Sequence, residues 1–184
     1  MNIINLEETT MCDVRNSVKI ILLNEQKELL LLAVDDKGIK NAEGKYNGRF
    51  WNLVGGKLEE GESLLQAAKR ELFEETGLKE NDVKFRKVVW YGEFDLVLHG
   101  KKIHLKQSFI CAETTRKDVT LENLTDEEKP VAKSLEWFSL DKIKNCKEVI
   151  YPVVLPEYLP DIIEDKIPDE PIFIDLAKQP KNRN

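Results

Sequence analysis

Along residues 16–34, NSVKIILLNEQKELLLLAV, apolar positions run almost unbroken on either side of the polar triplet Asn24-Glu25-Gln26. Short apolar runs joined by a polar turn predict two buried strands. The next stretch, DDKGIKNAEGKYNGR, is rich in Gly, Asn and charge and reads as a loop. RFWNLV, residues 49–54, predicts a short aromatic strand that delivers the chain to Gly55-Gly56. Residues 83–98 and 103–113 predict a second strand pair, separated by the turn His99-Gly100-Lys101-Lys102. KDVTLENLTDEEKP is then a long acidic loop, SLEWFSL a strand, and a short helix follows near Asp141-Lys142-Ile143. Pro152, Pro156, Pro160, Pro168 and Pro171 punctuate the C-terminal part, which predicts one helix and a short strand, PIFIDL. From about residue 178 the tail KQPKNRN is expected to fray. No repeat and no composition break divides the chain, so residues 1–184 are expected to form a single domain. Mixed strands around one strong helix predict the α/β class, a sheet covered by helices.

That helix is the most legible element. Ser63-x-x-Gln66 is a capping box that places the N-cap at Ser63, and Gly77 can take the left-handed conformation that stops a helix. Leu, Gln, Ala, Lys, Arg and Glu fill the body, all good helix formers. At ~100° per residue, with Glu71 at zero, Glu75 falls near +40° and Glu74 near −60°. The three form one acidic arc. Leu72, Leu65 and Phe73 fall between about +100° and +200° and predict the buried stripe. The arc adjoins that stripe instead of opposing it, so it is expected to line a cleft. Carboxylates ~5 Å apart repel by roughly 3 kcal/mol at an effective dielectric of 20. Partly desolvated, three of them call for a cation, and hard oxygen ligands suit Mg²⁺ or Mn²⁺.

Composition narrows the partners. The 184 residues are 41% hydrophobic and 34% charged, with a net charge of −6. An acidic balance argues against a broad nucleic-acid surface. No apolar run approaches the ~20 residues of a membrane helix, and the N-terminus shows no signal peptide. Cys12, Cys111 and Cys146 are scattered without a CxxC pair, as expected of reduced thiols in a cytoplasmic protein.

From Gly56 the chain reads G-x5-E-x7-R-E-L-x-E-E-x-G-L through Glu62, Arg70, Glu71, Leu72, Glu74, Glu75, Gly77 and Leu78. This stretch, residues 56–78, resembles the Nudix box at every fixed position. WNLVGG before it and LEWFSLDKI well after it are similar to further elements of that family. The resemblance implies the Nudix fold, an α/β/α sandwich around a mixed β-sheet, and hydrolysis of a nucleoside diphosphate linked to another moiety. It implies that Glu71, Glu74 and Glu75 ligate Mg²⁺ (or Mn²⁺), with the Gly56 carbonyl as a further ligand. Arg70 would orient one glutamate, and Glu62 would support the loop. The proton acceptor is left open between a box glutamate such as Glu71 and an acid of the loop Asp126-Glu127-Glu128. Trp51 and Phe50 are candidates for stacking on a base, against the alternative that they belong to the core.

Substrate markers point in several directions. Tyr91-Gly92-Glu93-Phe94-Asp95 lacks the proline usual after the box in ADP-ribose pyrophosphatases. WNLVGGK resembles the W-N-x-x-G-G-K stretch of enzymes that cleanse nucleotide pools, with Leu53 replacing a glycine. The leading expectation is a MutT-like nucleoside triphosphate pyrophosphohydrolase. An ADP-ribose, sugar-nucleotide or dinucleoside polyphosphate pyrophosphatase is the alternative, and a non-catalytic nucleotide-sensing domain is the alternative of another class. The expected partner is a small nucleotide; no nucleic acid or membrane is expected, and a homodimer is allowed.

Overall fold

A computed structural model describes residues 12–180. In chain order the strands are β1 (Asp13–Leu23), β2 (Leu29–Val34), β3 (Ile39–Asn41), β4 (Phe50–Leu53), β5 (Val83–Leu98), β6 (Lys101–Thr114), β7 (Ala132–Phe138), β8 (Val149–Tyr151) and β9 (Ile172–Phe173). The helices are α1 (Leu64–Thr76), α2 (Leu140–Asn145) and α3 (Leu155–Ile163). The strands form one mixed nine-stranded sheet in the order β3-β5-β6-β1-β2-β4-β8, with β7 on β2 and β9 on β5.

Both faces of this sheet are buried, which is why β1 and β2 read as apolar runs. Val18, Ile20, Leu22, Leu30 and Leu32 pack on one face with Ala67, Ala68 and Leu72 of α1. Ile21, Leu23, Leu29, Leu31 and Leu53 pack on the other with Ile143 of α2 and Leu155 and Leu159 of α3. Adjacent residues serve opposite layers because strand side chains alternate. The result is the expected α/β sandwich around a mixed sheet.

The sheet splays beside its centre, and this positions the site. β1 meets β2 at the hairpin pair Leu23↔Leu29. Further along, Ile20 and Val18 donate instead to the carbonyls of Val54 and Gly56, each at 2.9 Å. The chain therefore crosses from its pairing with β2 to a pairing with β1 through Val54-Gly55-Gly56, and then enters α1.

The second hairpin turns on two residues, His99 (φ 47°) and Gly100 (φ 84°), so Lys101 and Lys102 already belong to β6. Two consecutive positive φ values match the twist of the flanking strands. The loop after β2 contains β3, which pairs with the end of β5, and β8 was not anticipated. Both strands have three residues, too short to show a period. The acidic loop is not simply solvated: Leu124 is buried, Val119 and Leu121 pack against the core, and Thr120 N–H donates to Thr76 O at 2.9 Å.

Candidate active site

Helix α1 begins with the capping box in place: Ser63 Oγ accepts from Gln66 N at 3.3 Å and Gln66 Oε1 from Ser63 N at 2.8 Å. Gly77 ends it in the left-handed conformation, φ 73°. The buried stripe differs from the expected one. Leu65 and Phe73 are 40% and 41% exposed, while Ala67, Ala68, Glu71, Leu72, Glu75 and Thr76 are buried. The stripe is rotated towards the acidic arc, because the two alanines let the helix sit close to the sheet. Two glutamates are thereby drawn beneath the surface, at the point where the sheet splays.

Glycine makes this possible. A Cβ on Gly56 would lie 2.5–2.6 Å from the carboxylate atoms of Glu71. The Glu75 carboxylate accepts the Gly55 N–H. The Gly56 carbonyl, expected to face a cation, is bonded to Val18 N–H, whereas the Gly55 carbonyl accepts from the ammonium of Lys19.

Arg70 organises the front of the cluster. Its Nε and Nη2 grip Glu62 at 2.9 and 2.8 Å, Nη1 donates to Glu71 Oε1 at 2.8 Å, and Nη2 also reaches Lys57 O at 2.9 Å. Glu74 lies at 3.5 Å from Nη1. The forked guanidinium thus ties the loop before α1 to the helix. Its bonds hold Glu62 well below the usual carboxylate range, at about 2. Glu71 and Glu74 are raised by burial, with Arg70 opposing in both cases.

Tertiary structure adds Glu128. Carboxylate oxygens of Glu71, Glu74 and Glu128 lie within 4.8 Å of one another, a spacing at which they could share a divalent cation. Glu128 is oriented by Thr125, whose N–H and Oγ1 donate to its Oε2 at 3.0 and 2.8 Å. The other two acids of the loop do not join this trio: Asp126 pairs outward with Lys129 at 2.7 Å, and Glu127 lines the neighbouring cleft.

That cleft, of about 680 Å³, runs from the glutamates across the sheet. Phe50 lines it and meets Tyr151 edge-on, ring centroids 5.3 Å apart. Leu96, Ile103 and Leu105 supply an apolar wall, and Arg15, Lys40, Lys45 and Lys57 supply positive charge. Trp51, the other stacking candidate, is a core residue. It is 4% exposed, packs on Phe138 at 4.8 Å and donates Nε1–H to Glu148 at 2.8 Å. Strand alternation sends Phe50 and Trp51 to opposite faces.

Sequence reasoning passed over Arg15, Ser17 and Lys19, which alternate along β1 and line this cleft. The signal was present: Lys19 interrupts the apolar run of β1, and a lysine drawn into a buried strand needs partners for its charge. Burial pushes Lys19 down and Glu75 up, and each opposes the shift of the other.

Comparison with known proteins agrees with this geometry. A sequence model of the NUDIX domain matches residues 13–158. The chain belongs to the Nudix hydrolase family, whose members act on pyrophosphate bonds of nucleotide-containing substrates and are generally dependent on divalent metal. It is 35% identical over 60 residues to Nudix hydrolase 19, chloroplastic, of Arabidopsis thaliana. That match takes in 31% of this chain and only 14% of the relative's length. Among solved structures, a MutT protein from Methanosarcina mazei Go1 superposes with a TM-score of 0.54 at 24% identity, covering 85% of this chain and 97% of that one. An ADP-ribose pyrophosphatase from Streptococcus suis 89-1591 gives 0.53 at 17% identity, covering 87% and 98%. These likenesses establish the fold and do not choose between substrates. No helix among the described residues is long and apolar enough to cross a membrane.

Proposed function

We propose that this chain is a single-domain, cytoplasmic, Mg²⁺-dependent pyrophosphohydrolase that converts a nucleoside triphosphate to the monophosphate and pyrophosphate. The observation that carries the catalytic reading is the convergence of Glu71, Glu74 and Glu128 beside the Arg70 grip, at the head of a cleft. These three, with Glu75 behind them, fit a hard divalent cation: four carboxylates in a partly buried site repel one another strongly. When bound, such a cation supplies neutralisation of the diphosphate bridge and acidification of a water. Arg70 holds Glu71 in place, and Glu71 or Glu128 accepts the proton. Burial makes Glu71 a better acceptor than an exposed carboxylate. Tyr151, packed edge-on against the buried Phe50, offers an aromatic edge to a base, and Arg15 and Lys57 offer charge to phosphates.

Two features lean towards a triphosphate: the WNLVGGK stretch entering the site, and the absence of proline in Tyr91-Gly92-Glu93-Phe94-Asp95. A panel of nucleotides assayed with Mg²⁺ tests this. The expected products are a nucleoside monophosphate and pyrophosphate, without orthophosphate. Turnover of ADP-ribose at least tenfold more efficient than any triphosphate, ~1.4 kcal/mol in transition-state binding, would overturn the substrate while leaving the site chemistry standing.

Arg70→Lys is expected to lower kcat by roughly tenfold or more while the protein stays folded, since lysine cannot span Glu62, Glu71 and Lys57 O together. Unaltered turnover in that variant would show that the grip is dispensable.

A further inference from the structure

Lys19 stands out among the described residues because this half-buried lysine, in the middle of an apolar strand, turns its ammonium onto the backbone beside the glutamate cluster. It donates to the carbonyls of Leu53, at 3.1 Å, and Gly55. The N–H of the same residue, Gly55, donates to the carboxylate of Glu75. Gly55 therefore sits between a half-buried ammonium and a buried carboxylate, its C=O turned to one and its N–H to the other. Val18 and Ile20, on either side, pack towards α1, while Lys19 turns with Ser17 into the cleft. An apolar residue at position 19 would fill the strand equally well and avoid the cost of desolvating an ammonium. What an apolar residue cannot provide is positive charge facing Glu75 and Glu71.

We propose that Lys19 is a built-in cation of the site, a positioning residue that holds Gly55 and Glu75 in place and limits how tightly the cluster binds a divalent ion. The inference rests on the metal-binding reading above. In the metal-free protein Lys19 neutralises part of the cluster, so the carboxylates stay buried and arranged. With a divalent ion bound, the same charge repels it, which keeps affinity moderate. Lys19 thus trades metal affinity for an organised metal-free site.

The test uses the full chain with Mn²⁺ as probe, free Mn²⁺ being followed by electron paramagnetic resonance. Thermal midpoints are measured in EDTA and in saturating Mn²⁺. Lys19→Gln keeps a donor, one bond shorter, and removes the charge; Lys19→Arg keeps the charge. Lys19→Gln is expected to bind Mn²⁺ at least about tenfold more tightly, the scale of losing a unit charge near a divalent ion in a partly buried site. Its midpoint falls in EDTA and recovers in Mn²⁺, because the bound ion replaces the missing charge. Lys19→Arg retains wild-type Mn²⁺ affinity. A Lys19→Gln protein with wild-type Mn²⁺ affinity, or one equally destabilised with and without Mn²⁺, overturns the proposal, since a purely structural lysine would behave that way. Failure of the wild-type chain to bind Mn²⁺ at all would overturn the metal reading together with it.

Discussion

Glu74→Gln and Glu75→Gln are each expected to lower turnover at least ~100-fold, and EDTA to abolish activity until Mg²⁺ or Mn²⁺ is restored. Losses of this size accompany removal of charge stabilisation from a site that excludes water. The two variants act differently. Glu74 is half-buried and belongs to the trio with Glu71 and Glu128, so its amide removes a charged oxygen from the mouth of the site. Glu75 is buried and bonded to Gly55 N–H, and a glutamine oxygen can keep that bond while the negative charge is lost. Neither change should unfold the protein, which circular dichroism can verify alongside the assay. Full activity of either variant in EDTA would sink the metal-dependent mechanism.

Gly55→Ala is expected to be the most damaging small substitution for stability, by more than ~3 kcal/mol. Its φ of 119° lies where L side chains are rarely found, and a Cβ there would overlap the Val18 carbonyl and approach Lys19 Cα to 3.1 Å. Both contacts are backbone of β1, which cannot yield without breaking its ladder to β6. For a chain of this length the loss corresponds to a fall of roughly 6–12 °C in thermal midpoint. Gly61→Ala is the control. Its φ is 77°, but nothing lies within 4 Å of the added Cβ, so only the backbone term of ~1–2 kcal/mol applies. Equal midpoints for the two variants would show that the crowding at Gly55 carries no weight.

Much of this site could be read locally because its chemistry is concentrated in one helix with clear ends. The capping box, the stop at Gly77 and the spacing of Glu71, Glu74 and Glu75 are all set within a few turns of chain, and α1 follows them closely. The α/β class was legible for a similar reason, since long apolar strands imply cover on both faces. The angle at which α1 meets the sheet was not legible. A helical wheel ranks faces by hydrophobicity, but Ala67 and Ala68 chose the contact by being small, leaving Leu65 and Phe73 exposed and carrying Glu71 and Glu75 inward. Likewise the aromatic pair Phe50-Trp51 could not be divided between cleft and core before the face of β4 was known.

What the sequence determined by itself is the family, the helix and its acidic arc, because each depends on residues close together in the chain. Only the tertiary structure decided that Glu128 joins Glu71 and Glu74, that Asp126 does not, and that Lys19 meets Glu75 through Gly55. Those relations join residues 50 or more positions apart across a splayed sheet. Gly55 and Gly56 lack side chains where the chain crosses to β1, and that leaves room for a helix carboxylate and a strand ammonium to meet the same residue, Gly55.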